Sequence, residues 1–389
     1  MAPAPKVEAA VEGPLPAAVL DKYKAAATVA NSVLEAIKAK AVAGANLLEL
    51  CAEGDRLLEA GTAALYNKVK GLPKGIAFPT SLSVNSKLQN FSPVPSDEEG
   101  AATVLASNDL VKIALGAHID GYAVIAAETI VVSPSGPITD VRASLLAAAH
   151  NAAEAAIRLV KVGGRNWDVT EGIKKVVAEY ESAGVKGVEG IMSHQHEQNS
   201  IEAKKGIVAF PSEPQRRDGD NAFTFVEGEV YGLNILVTNG AAIPKVDEAR
   251  TTIYQKTTAT YMLKGKTARS VYSEVSKKAG SFPFTLRVLD EVSKARMGIK
   301  ECVEHGLLKE YPVGATDMKT DLSAQIFLTF AVTKTGAVRL SAAPSYYSPE
   351  RVQSPVEIKD EETKALLARP LKAKPVKKAK AAGEEAKAE

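Results

Sequence analysis

The chain has 389 residues, 46% of them hydrophobic, enough for one large core or two modest ones, and too apolar for a chain disordered throughout. No stretch approaches the roughly 18 consecutive apolar residues of a membrane span, and MAPAPKVEAAVEGPLP at the start holds no apolar run of signal-peptide length, so no membrane association and residence in the cytosol or nucleus are expected. A net charge of +2 hides a strongly basic region, and the two cysteines, Cys51 and Cys302, lack the CxxC spacing of a zinc or redox centre and read as buried free thiols.

Residues 1–16 read as a flexible N-terminus. Amphipathic helices are predicted at about 17–41, where Val19, Leu20, Tyr23, Ala27, Val33, Leu34 and Ile37 recur at three-to-four spacing, and at about 47–69. Strands follow at 75–78, 82–84 and 110–115. The stretch KIALGAHIDGYAVIAAETIVV (112–132) is two apolar strands joined at Asp120 and Gly121, a β-hairpin buried on at least one face. A second helix pair is predicted at 141–162 and 169–182, broken by the glycines of VGGRN, and strands come next near 185–193 and 229–238. The order helix, helix, strands is thus written twice. It predicts an α+β fold of two related halves around one core.

Residues 250–311 depart from that order and read as an insertion, with helical patterns at 268–279 and 289–302, before a strand pair at 324–333 and 338–341. Between Arg250 and Lys300 stand eleven Lys and Arg against three acids, a local charge of +8. Lys264, Lys266, Arg269, Lys277, Lys278, Arg287, Lys294 and Arg296 are interleaved there with Tyr254, Tyr261, Tyr272, Phe282 and Phe284. Lys and Arg hold phosphates by displacing counterions, and exposed aromatics stack on unpaired bases, so this segment is the candidate nucleic-acid surface. The alternative is that the aromatics are core and the cations a solvated face. Residues 355–389 are polar and end in KAKPVKKAKAAGEEAKAE. They are expected to form a flexible tail in which Lys372, Lys374, Lys377, Lys378 and Lys380 act as a localisation or RNA-clamping segment.

No GxGxxG, GxxxxGK[ST] or GxSxG spacing is present. The glycines of GVKGVEG (184–190) and VGGRN read as turns. His194 and His196, two apart on a strand, share a face, but no carboxylate is predicted beside them, and they read as a packed and a surface histidine.

The stretches KGIAFPTSLSVNSKLQNFSP (74–93), KIALGAHIDGYAVIAAETIVV, IMSHQ (191–195), EGEVYGLNILVTNG (227–240) and SAQIFLTF (323–330) together resemble type 2 methionine aminopeptidases, which have the pita-bread fold. RTTIYQK (250–256), SFPFTLR (281–287), KARMGIKEC (294–302) and the Lys-rich end resemble more closely the proliferation-associated, ErbB-receptor-binding family, whose fungal members are called curved-DNA-binding proteins. The resemblance implies a pita-bread domain over 17–354, with pseudo-twofold halves and the basic helical insertion at 250–311. In the aminopeptidases two Asp, one His and two Glu hold a metal pair. On that pattern the positions fall on Ala114, Ile125, His194, Asn234 and Phe327, and a substrate-contacting His falls on Asn90. Four of five ligands are missing. Glu128 should face the other side of its strand and Asp120 lies in the hairpin turn, so neither replaces them. The expectation is a protein without peptidase activity, metal or other cofactor, whose old pocket has become core, the alternative being a vestigial peptide groove lined by Ile125 and Phe327.

What the family resemblance further implies is a non-enzymatic factor on the large ribosomal subunit, touching ribosomal RNA and ribosomal proteins around the tunnel exit, in ribosome biogenesis and translational regulation. Nucleus, nucleolus and cytoplasm are its expected locations, and a monomer its expected state. The alternatives are a DNA-binding, transcription-linked growth regulator sharing the same basic surface, and a divergent metalloaminopeptidase with rearranged ligands centred on His194.

Overall fold

The computed structural model describes residues 13–217 and 222–371, apart from the side chains of Arg217 and residues 292–294. Helices α1 (Ala17–Lys40), α2 (Leu47–Ala63), α3 (Val141–Leu159) and α4 (Asn166–Ala178) cover one face of a nine-stranded antiparallel sheet. Its strands are β1 (Lys74–Val84), β2 (Leu110–Ile119), β3 (Tyr122–Val131), β4 (Lys186–Gly187), β5 (Met192–His196), β6 (Gly206–Val208), β7 (Val230–Thr238), β8 (Ser323–Thr333) and β9 (Gly336–Arg339). They pair in the order β1-β2-β3-β8-β7-β5-β6, with β9 on β8 and β4 on β7.

Local chemistry sets the helix ends. Asn46 accepts from Glu49 N at 3.1 Å and Asp140 from Arg142 N at 3.0 Å, each capping a helix start. The alanine-rich α3 buries twelve residues, and small side chains let it lie close against the sheet. Two cores result. Val33, Leu34, Ile37, Leu47 and Cys51 of α1 and α2 pack on Val111, Ile113, Leu115 and Ala126, while α3 and α4 pack on Leu233, Ile235, Ile326 and Leu328. The two halves expected from the repeated element order are thus helix pairs on adjacent halves of one sheet, each with its own core rather than sharing one.

The halves meet at a narrow seam. Between β3 and β8 only Phe327 and Ala127 form a ladder pair. On either side of it Thr129 Oγ1 donates to Gln325 O at 2.8 Å and accepts from Gln325 N at 2.7 Å. Thr329 Oγ1 does the same with Ile125, at 2.8 and 3.0 Å. Two hydroxyls stand in for four strand hydrogen bonds, in a twofold arrangement about Phe327 and Ala127.

The segment 250–311 packs largely on itself. Ile253–Lys256, Phe284–Thr285 and Leu308–Tyr311 form a three-stranded sheet, on which α5 (Lys266–Lys278) and α6 (Val292–Glu304) enclose Val271, Val275, Ile299, Cys302, Leu307 and Leu308. Cys51 and Cys302 are buried and free.

Several boundaries differ from the sequence reading. The helix expected to reach residue 69 stops at Ala63, and Tyr66 at φ 50° turns the chain back. The strand expected at 185–193 is broken by Gly190, at φ 77°, into β4 and β5. The segments 75–78 and 82–84 are one bulged strand, β1. Residues 355–371 do not behave as tail. Asp360 accepts from Thr363 N at 2.7 Å and starts α7 (Glu361–Ala368), whose Leu366 and Leu367 pack with Leu371 against the α3–α4 core. With Val356 and Ile358, which pack on the same core, these leucines anchor a segment whose average composition is polar. Lys372, Lys374, Lys377, Lys378 and Lys380 lie outside the described residues.

Candidate functional site

Side chains alternate along the strands, so the residues that do not meet the helices face the other side of the sheet. Ile125 lies between Val124 and Ala126, both turned to the helix side, and Phe327 lies likewise between Ile326 and Leu328. On that second face Ile125, Phe327, Ala77, Phe78, Ala123 and Ile201 form one apolar cluster, and the insertion contributes Phe282 to it, 2% exposed. Phe282 stacks on His118 with centroids 4.3 Å apart. Ala114 sits beside the cluster, opposite Ser81 on β1 and Ala127 on β3. Asn234 lies opposite Phe327 on β7, and its Oδ1 accepts from Gln325 Nε2 at 2.8 Å. Asn90, at φ 68°, donates to Pro312 O at 3.1 Å.

The five positions carried over from the aminopeptidases are therefore brought towards one face, but apart from the imidazole of His194 their chemistry there is apolar or amide. These residues do not fit a metal pair, which needs several carboxylates to offset its charge. Among the described residues no three His, Cys, Asp or Glu side chains are grouped closely enough to hold a metal ion. Glu128 faces the helix side and pairs with Lys38 at 2.5 Å, and Asp120 pairs with Lys22 at 2.5 Å from the hairpin turn.

His196 is 3% exposed, its imidazole pushed down to about 4 by burial, and its Nδ1 lies 3.3 Å from Ala123 O. His194 is half-buried, so neither of the pair is the surface histidine that the sequence reading expected. Contrary to the sequence reading, it has a carboxylate in its vicinity. Burial lowers the His194 pKa, and Glu202 opposes this. Glu202 is itself committed: it accepts from Lys309 Nζ at 2.5 Å and Tyr311 Oη at 2.6 Å, and these bonds outweigh its burial and hold its pKa below the usual range. Glu202, Lys309 and Tyr311 were invisible as a group in the sequence because more than 100 positions separate Glu202 from the other two.

The basic residues of the insertion divide into three kinds. Lys264, Lys266, Arg269, Lys277 and Arg296 are exposed, with no ion pair among the described residues. Lys266, Arg269 and Lys277 follow i, i+3, i+11 spacing on α5, opposite the buried Ala268, Val271 and Val275, and make one stripe roughly 16 Å long. Lys278 is held by Glu274 at 2.9 Å and Asp290 at 2.6 Å. Arg287 is no surface cation at all. Its side chain is 8% exposed, pairs with Asp55 of α2 at 2.6 Å and donates to Ser92, Pro93 O and Thr80 O. The side chain of Lys294 lies outside the described residues. Of the aromatics, Tyr254, Phe282 and Phe284 are core and Tyr272 is half-buried. Tyr261 alone of these is exposed, stacked on His305 at 3.7 Å. The surface is thus a stripe of cations without carboxylate partners among the described residues, with little exposed aromatic area for base stacking.

The family model of metallopeptidase family M24 matches residues 21–233. The chain belongs to metallopeptidase family M24. Within M24 it is 41% identical to the curved DNA-binding protein of Schizosaccharomyces pombe over 91% of this chain and 90% of that one. It is 38% identical to the ErbB-3 binding protein 1 of Arabidopsis thaliana over 92% and 87%. Among solved structures it resembles a thermophilic Arx1, with a TM-score of 0.85 and 31% identity over 92% of this chain and all of that one. The helix-backed antiparallel sheet in two halves is the M24 pita-bread fold, and the chain lies in its ErbB-3-binding and curved-DNA-binding branch.

Proposed function

We propose that this M24 protein is non-catalytic and lacks four of the five metal ligands of the aminopeptidases. In this reading it acts as a docking factor on the large ribosomal subunit, gripping ribosomal RNA and neighbouring ribosomal proteins near the tunnel exit. The observation that carries the reading is the α5 stripe of Lys266, Arg269 and Lys277 with Lys264 beside it, cations whose charge no carboxylate of the described residues offsets. Such a row lowers the free energy of any polyphosphate backbone laid along it, independently of base sequence. The partner comes from the family resemblance, as do roles in ribosome biogenesis and translation and residence in both nucleus and cytoplasm.

The apolar face supports the same reading. Burying four carboxylates without metal would be costly, whereas Ile125, Phe327 and Phe282 fill the volume and let the face serve as a rigid mount for the insertion. Co-sedimentation with purified large subunits tests the proposal, and failure of the wild-type protein to sediment at low salt would remove it.

A second reading has one specific support: the Schizosaccharomyces pombe relative is called a DNA-binding protein. The stripe would hold duplex DNA equally by its phosphates. Competition between a DNA duplex and a ribosomal RNA fragment at equal salt separates the two, with preference for DNA favouring the transcription-linked role. Stoichiometric metal after purification, with peptidase activity lost in His194→Ala, would instead revive the divergent enzyme.

A further inference from the structure

We propose that Ser96 is a phosphorylation site whose phosphate docks on Arg250 and switches the charge of a groove in the insertion. Ser96 is exposed and is followed directly by Asp97, Glu98 and Glu99, the arrangement favoured by serine kinases that read acidic residues after their target. Such a run is by itself only a sequence pattern. What gives it a consequence is the guanidinium beside it: Arg250 Nη1 donates to Ser96 Oγ at 3.1 Å and to Ser96 O at 3.2 Å, and Arg250 pairs with no carboxylate among the described residues. An arginine already in contact with a serine hydroxyl is placed to give charge-assisted hydrogen bonds to a phosphate on that oxygen.

Arg250 also lines a groove of about 470 Å³ with Arg296, Lys300, Tyr254, Glu304 and Glu310. Arg250 and Arg296 both act on the Tyr254 hydroxyl, so the two guanidiniums share this groove. Three cations face two carboxylates there, a net of one positive charge. A phosphoserine brings about −1.5 to −2 at pH 7 and would turn the groove negative. The modification moves the γ-phosphoryl group of a nucleoside triphosphate onto Ser96 Oγ: the Oγ–P bond forms, the bond to the bridging β,γ-oxygen breaks, the diphosphate leaves and the hydroxyl proton passes to the kinase's base. The expected consequence, which rests on the RNA-binding reading, is weaker polyphosphate binding by the insertion.

The full chain would be treated with nucleoside triphosphate and an acid-directed serine kinase, the phosphate located by peptide mass, and its titration followed by phosphorus NMR in wild type and Arg250→Gln. Asp97, Glu98 and Glu99 on its own segment raise the phosphate pKa in both proteins, and Arg296, Lys300, Glu304 and Glu310 are likewise common to both, so the difference isolates Arg250. Phosphate on Ser96, absent in Ser96→Ala, with a second pKa about one unit lower in wild type than in Arg250→Gln, supports the contact. No incorporation at Ser96, or identical titrations, overturns it. Affinity for a ribosomal RNA duplex should fall about tenfold on phosphorylation, and equal affinity of the two forms overturns the switch. If neither form binds RNA, the ribosomal reading falls, the switch falls with it, and the titration alone decides the docking on Arg250.

Discussion

Thr129 and Thr329 are related by the internal twofold of the sheet: each hydroxyl accepts a backbone N–H and donates to a backbone C=O of the opposite half, on either side of the Phe327–Ala127 pair. Replacing either by Val keeps the shape and leaves a buried N–H and C=O unsatisfied. Thr129→Val and Thr329→Val are each expected to cost about 1–3 kcal/mol in urea unfolding. Losses below about 0.5 kcal/mol, the scale of an ordinary surface substitution, would show that the seam does not depend on them.

Phe282 fixes the insertion to the sheet by its stack on His118 and its place among Ile125, Ile201 and Phe327. Phe282→Ala should cost about 3–5 kcal/mol through lost burial and the cavity left behind. The same change should speed hydrogen exchange in α5 and α6 before the main sheet. Unchanged exchange in the insertion would place its anchorage elsewhere.

Arg287 and Asp55 make a second bolt, between the insertion and α2. Arg287→Met strands a buried carboxylate and should cost about 3–5 kcal/mol, while Arg287→Met with Asp55→Leu should recover a large part of it. Equal instability of the single and double variants would contradict the account. Arg287→Met is not expected to alter the salt dependence of nucleic-acid binding, because the side chain is only 8% exposed and its guanidinium is committed to Asp55 and backbone carbonyls.

Burial pushes the imidazoles of His118, His150 and His196 each down to about 4. A depressed folded-state pKa means that the unfolded chain binds the proton first, so stability is complete above pH 6.5 and is lost as pH falls towards 4. Each imidazole contributes a slope of up to roughly 1.4 kcal/mol per pH unit. Glu128, whose carboxyl burial pushes upward, works in the opposite sense and is common to every variant compared. Urea midpoints measured from pH 7 to 4.5 should fall less steeply in His118→Gln than in wild type, and parallel curves would show that His118 titrates normally in the folded state.

The hydrophobic periodicities that define α1, α3, the β2–β3 hairpin and both insertion helices are local, and each of these elements was readable from residue spacing. What escaped the sequence is long-range. Arg287 looks like its basic neighbours, and only the approach of Asp55, 232 positions away, turns it into a buried bolt. Phe282 and Phe284 are written like base-stacking aromatics, but the sheet face and the insertion's own core absorb them. Conversely Leu366, Leu367 and Leu371 are too few to mark a segment as ordered by composition, yet the α3–α4 core gives them a surface. At the candidate interface the sign of the charge was legible. Which cations stay free was not, because pairing of Lys278 with Asp290 depends on how the loop after α5 returns.

The most direct test is co-sedimentation with large ribosomal subunits across a salt series, comparing wild type with the combined Lys264→Glu, Lys266→Glu, Arg269→Glu and Lys277→Glu variant. Thermal unfolding serves as the control that the insertion remains folded. The account predicts that wild-type binding weakens steeply with salt, and that the variant binds far less, with a log–log slope shallower by about three. A folded variant that sediments like wild type at every salt concentration would contradict it.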